Sequence, residues 1–99
     1  MRRALLSDAD IKSKLRELKG WKRERGFITK TFEFDSFMDG IRFIDRIARV
    51  AEELQHHPDL HMRYTTIKLS VQTHSAGGIT EKDFDLAGAI DAELTTEHH

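Results

Sequence analysis

The 99-residue chain contains no cysteine, so a disulfide framework and thiolate chemistry are both excluded. It has no surplus of charge: 16 Lys and Arg stand against 17 Asp and Glu, a net −1. A bulk basic field able to hold a nucleic acid or an anionic membrane is therefore absent. Long apolar runs are missing too. Near the N-terminus only Ala4, Leu5 and Leu6 follow the two arginines, too few for a signal-peptide core or a membrane span, and a cytoplasmic location is expected. Repeats, low-complexity tracts and Pro/Gly/Ser-rich linkers are lacking, which predicts one domain over 1–99. Proline is nearly absent as well, and the single one, Pro58, directly follows His56 and His57.

What is present suits a small folded domain. Hydrophobic residues make up 38% and charged residues 33%, with six Phe, one Trp and one Tyr to anchor a core. Ser7 and Asp10 read as a helix start, continued by Ile11, Leu15 and Leu18 and stopped by Gly20. From Trp21 to Phe34 the period changes to two. Ile28, Phe32 and Phe34 share one strand face, Thr29, Thr31 and Glu33 the other, with a turn at Arg25-Gly26. A second helix opens at Asp35 or Ser36, its apolar stripe read as Phe37, Ile41, Ile44, Ile47 or Ala48, Ala51 and Leu54. Ile67, Leu69 and Val71 alternate with polar residues and predict a strand over roughly 63–73, with a short strand also possible after Pro58. Gly77-Gly78 breaks it, and Thr80, Asp83, Phe84, Ala87, Ile90 and Leu94 mark a last helix. The order α-β-β-α-β-α predicts an α+β sandwich of two layers, an antiparallel sheet of about four strands with helices on one face.

Pro58 disfavours helix at the preceding residue, so the second helix is expected to stop near His56 with His57 extended. Glu52, four residues before His56, then shares its helical face and is expected to hold its ring. His74 falls at the far end of the later strand, a loop-edge position suited to a cleft. Locally, the histidine pair reads equally as a helix C-terminal cap, and Asp83 as a capping carboxylate. His56, His57, His61 and Asp59 also supply ligand types for zinc. His98 and His99 are set aside, because a purification tag leaves the same ending.

Taken together, "AEELQHHPDL", "THSAGGIT" and "EKDFDLA" resemble the pterin-4a-carbinolamine dehydratases, through Ala51, Glu52, His56, His57, Pro58, Asp59, Thr73, His74, Gly78, Ile79, Thr80 and Asp83. Gly20-Trp21 and the long second helix extend the resemblance over nearly the whole chain. Leu60 departs from it, standing where the family often has an aromatic residue. The resemblance implies loss of water from a 4a-hydroxytetrahydropterin to give the quinonoid dihydropterin, in tetrahydropterin recycling beside an aromatic amino acid hydroxylase, with no metal or redox cofactor. His56, His57 and His74 would be catalytic. Glu52, His56, His57, Pro58, Asp59, Thr73, His74, Ser75, Ala76 and Asp83 would bind substrate. Imidazole suits both proton transfers, because its unperturbed pKa of about 6.5 lets it donate or accept near neutral pH. The resemblance also implies a homodimer or homotetramer and, as a rival role in animal relatives, a dimerisation cofactor of a transcription factor.

Overall fold

The computed structural model describes residues 5–95, so the N-terminal arginines and His98-His99 lie outside the described residues. Three helices and four strands follow the order α1 (Asp8–Leu15), β1 (Lys22–Glu24), β2 (Phe27–Glu33), α2 (Phe37–Leu54), β3 (Asp59–Arg63), β4 (Thr66–Val71) and α3 (Glu81–Thr95). The sheet is antiparallel throughout, in the order β1-β2-β4-β3. The α+β class and the sheet of four strands are as the sequence predicts.

The strand expected over roughly 63–73 is β4, shorter than expected at both ends. The possible short strand after Pro58 is β3, and the chain reverses at Tyr64 (φ 54°) before β4, giving α-β-β-α-β-β-α. The alternation changes phase at the reversal, since Met62 and Ile67, five residues apart, pair on one face, and that shift is the mark of a two-residue hairpin in the sequence. The first helix is shorter than expected. After Leu15 the backbone tightens to i→i+3 bonds, from Arg16 to Ser13, Glu17 to Lys14 and Leu18 to Leu15, and Gly20 (φ 88°) only completes the exit.

The second helix starts as predicted, with the Ser36 hydroxyl accepting from the Asp39 N–H at 3.1 Å. Its buried line, however, is Gly40, Phe43, Ile47 and Ala51. Phe37 and Leu54, read as stripe residues, are exposed, and so is Ala48, whereas Phe43 is fully buried against Phe32 and Phe34 with ring centroids 5.1 and 5.0 Å away. The apolar side of this helix is wide enough to hold both lines, which share Ile47 and Ala51, and packing against the strand aromatics selects its centre.

One buried cluster joins Ile28 and Phe32 of β2, Ile67, Leu69 and Val71 of β4, Phe43 and Ile47 of α2, and Phe84, Leu86, Ala87 and Ile90 of α3. Trp21 closes one end, its indole N–H donating to Asp91 at 3.0 Å, while Lys30 reaches the same carboxylate at 2.9 Å. On the opposite sheet face, Lys68 of β4 bonds Glu24 of β1 at 2.8 Å, bridging across β2 above Thr29. All three helices leave this face open.

Candidate active site

The chain after α2 turns back on itself before the histidines. Gln55 takes a left-handed conformation (φ 52°), its side-chain amide donates to the Glu52 carbonyl at 2.7 Å, and the His56 N–H reaches back to the Ala51 carbonyl at 3.0 Å. The helix thus ends at Leu54, two residues before the predicted stop. This reversal changes the partners of both rings. His56 swings inward and places Nε2 2.5 Å from Asp83 Oδ1, while His57 lies back over the last turn with Nε2 2.5 Å from Glu52 Oε2. The expected pairing of Glu52 with His56 is therefore replaced by Glu52 with His57, because a residue beyond an αL cap no longer follows the i, i+4 rule.

Asp83 is the more elaborate partner. It is fully buried, and its Oδ2 accepts from the Thr80 N–H at 2.9 Å and the Thr73 hydroxyl at 3.0 Å. The Thr80 and Thr73 hydroxyls are 2.8 Å apart, and Thr80 Oγ1 also accepts from the Lys82 N–H at 3.2 Å. With Thr73 donating to Asp83, Thr80 donates to Thr73 and every hydroxyl proton is used. One carboxylate thus caps α3, pins the end of β4 and holds His56. The capping role read in the sequence is real, and it is the smaller part of what Asp83 does.

The loop carrying His74 is closed at both ends. Thr73 N–H donates to the Gly78 carbonyl at 2.9 Å, and the Ala76 and Gly77 N–H groups donate to the Thr73 carbonyl at 3.1 and 3.0 Å, making a single 3₁₀ turn over His74–Ala76. Gly77 leaves it at φ 78°, where a Cβ would be strained. His74 is exposed at the start of this turn, and its ring has no hydrogen bond among the described residues.

His56, His57, Thr73, His74 and Ser75 converge on one cavity of about 250 Å³, joined by Gln55, Gln72 and Lys82. Of the sequence-predicted set, Glu52 and Asp83 stand behind their histidines, and Pro58 and Ala76 are off the wall. Asp59 faces a different depression of about 410 Å³ on the open sheet face, with Glu24, Arg25, Phe27, Thr29 and Ser70, where no histidine is present. His61 points to that same sheet face, opposite Lys68. Gln55, Gln72 and Lys82 were not legible as site residues, since polar residues at a cap, a strand end and a first helical turn carry no distinguishing spacing. No group of three or more His, Cys, Asp or Glu side chains is placed to hold a metal ion among the described residues.

Chemically, the cavity gathers groups that can take up and give up protons. Nε2 of His56 and of His57 each face a carboxylate, and with Nε2–H donating, Nδ1 of each ring remains to accept a proton or, once protonated, to donate it. His74 supplies a third, untethered imidazole. The fold and the pocket thus define a small α+β protein with three imidazoles gathered on one cavity at a sheet end.

Comparison with known proteins gives the family. The sequence profile described as Pterin 4 alpha carbinolamine dehydratase matches residues 4–93, and the chain belongs to that family. A candidate pterin-4-alpha-carbinolamine dehydratase of Roseiflexus castenholzii is 49% identical over 88 residues, covering 89% of this chain and 95% of its own length. One from Thermomicrobium roseum is 44% identical over 93 residues, covering 94% and 99%. Among solved structures, the transcriptional coactivator/pterin dehydratase of Brucella melitensis superposes with a TM-score of 0.87 at 32% identity, covering 91% of this chain and 98% of that one. A pterin dehydratase-like RuBisCO assembly factor of the alpha-carboxysome shares the fold, with a TM-score of 0.61 at 23% identity over 74% of this chain and 84% of that one.

Proposed function

We propose that this protein removes water from a 4a-hydroxytetrahydropterin by histidine acid/base catalysis, acting in the cytoplasm in tetrahydropterin recycling. The observation that carries the reading is the convergence of His56, His57 and His74 on one small cavity, two of them tied through Nε2 to carboxylates. In the reaction the C4a–O bond breaks as the hydroxyl takes a proton and leaves as water. The N5 lone pair forms the C4a=N5 bond, and the N5 proton passes to a base. His56 and His57 serve the hydroxyl, and His74 receives the N5 proton. The proton balance closes on the protein's own imidazoles, so the reading calls for no metal or redox cofactor, and positioned transfers of this kind contribute roughly 10²–10⁴-fold in rate.

The bridge through Asp83 supports this division. Burial and a carboxylate itself held by Thr73 and Thr80 fix the His56 ring, whereas His57 hangs on an exposed carboxylate and can follow the departing water. Thr73 and Ser75 line the pocket beside His74. The reading also carries a homodimer or homotetramer, for which the edge strand β3 and the exposed Phe37 and Met38 at the start of α2 offer unpaired surface. The same surface favours a second reading, a protein-interaction role, and the Brucella neighbour's description joins coactivator to dehydratase.

A stopped-flow assay in which a hydroxylase generates the 4a-hydroxytetrahydropterin tests the proposal. Faster decay of its ultraviolet absorbance with the wild-type protein, lost in His57→Ala with the fold intact by circular dichroism, is expected. No acceleration by the wild type overturns the enzymatic reading and leaves the interaction role.

A further inference from the structure

Gln72 lies on the wall of the histidine cavity, two residues before His74. Its side-chain amide is oriented by the opposite hairpin: Nε2 donates to the Gly26 carbonyl at 3.0 Å. A carbonyl only accepts, so the amide nitrogen must face Gly26 and Oε1 must face away from it. Oε1 accepts no hydrogen bond among the described residues. The fit is close, since a Cβ at Gly26 would stand 2.8 Å from Gln72 Nε2. The half-buried strand end thus holds an oriented acceptor, without a donor among the described residues, on a wall otherwise made of imidazoles, hydroxyls, the Gln55 amide and the Lys82 ammonium, which has no ion pair among the described residues.

We infer that Gln72 determines ring specificity, its Oε1 accepting from the N–H and amino donors on the edge of a 2-amino-4-oxo heterocycle. This deepens the reading above and rests on it. A bicyclic ring seated among the three imidazoles in this cavity of about 250 Å³ lies beside Gln72 on the same wall. A ring with an oxo group in place of the amino group turns an acceptor toward Oε1, so two lone pairs meet and the ligand is rejected. Gln72 touches ligand without moving a proton, so its loss weakens binding more than it slows turnover.

The test compares binding of pterin and of lumazine, its 2-oxo counterpart, by quenching of ligand fluorescence. Wild type binds pterin about tenfold more tightly than lumazine, a ratio in keeping with one or two neutral hydrogen bonds. Gln72→Leu brings the ratio close to one by weakening pterin alone, and raises KM for dehydration by a larger factor than it lowers kcat. Gly26→Ala, which displaces the amide while leaving Gln72 in place, lowers the ratio in the same direction. A wild-type ratio near one, or a ratio preserved in Gln72→Leu, overturns the inference. Wild-type dehydration, measured separately, reports on the activity itself: turnover with a preserved ratio sinks only the role of Gln72, and no turnover sinks the dehydratase reading whatever the ratio.

Discussion

Asp83 Oδ1 lies 2.5 Å from His56 Nε2, across 27 residues of sequence, and joins the start of α3 to the end of α2 inside the protein. The carboxylate sets which nitrogen of the ring carries the proton, while its other oxygen ties Thr73 and Thr80 into the same unit. Stability and the tautomer of His56 are therefore coupled at this residue.

Asp83→Asn separates the two. The amide can still accept from Thr80, but its NH₂ faces either His56 Nε2 or the buried donors, which costs about 1–3 kcal/mol. If the NH₂ meets His56, the ring must present Nε2 as an acceptor and carry its proton on Nδ1. A folded protein with turnover lowered by at least ~10²-fold is expected, together with a changed tautomer in the imidazole nitrogen NMR spectrum. Unchanged turnover with a changed tautomer would remove His56 from the proton path.

Glu52→Gln is the contrasting case. Glu52 and His57 are both exposed, so their pair is solvent-screened and contributes under about 1 kcal/mol. The urea midpoint is expected to stay within error of wild type while turnover falls. A large loss of stability would mean that the His57 contact is structural.

Phe43→Ala tests the corrected face of α2. Phe43 is fully buried between Phe32 and Phe34, and its truncation is expected to cost ~3–5 kcal/mol in chemical denaturation. Phe37→Ala, at a position 46% exposed, should cost well under half of that at concentrations where the protein is monomeric. Equal costs would restore the stripe read from the sequence.

Glu24 gives a pH dependence with a definite sign. The hydrogen bond from Lys68, together with its charge, holds the Glu24 carboxyl below its ordinary 4.5. A carboxyl depressed in the folded state stabilises above the unfolded value, and that contribution disappears as pH falls through the folded one. Comparison of wild type with Glu24→Gln by urea denaturation should show a small gap near neutral pH that closes in acid. Because the pair is exposed, the gap should also shrink in high salt. A gap that widens in acid would contradict the assigned pairing.

Much of the fold was legible in the chain itself. The hydroxyl caps at Ser7 and Ser36, the period-two face of Ile28, Phe32 and Phe34, and the alternation of Ile67, Leu69 and Val71 all appear where local chemistry puts them. These features depend on spacing within one element, which sequence carries directly. The division of 59–71 into β3 and β4 was less distinct, because the phase shift from Leu60 and Met62 to Ile67 and Leu69 falls in a turn whose residues, Tyr64 and Thr65, are themselves favoured in strands. The site divides in the same way. Sequence alone determined that His56, His57 and His74 fall at element ends, that Pro58 keeps the pair out of a helix, and that Thr80 and Asp83 open α3. Only the tertiary structure decided which carboxylate meets which ring, that Asp59 faces another depression, and that Gln72 stands beside the histidines. The reason is the left-handed turn at Gln55, which rotates His56 toward a residue 27 positions away and His57 back toward its own helix. A contact of that kind arises from packing α3 against α2, and no spacing along the chain encodes it.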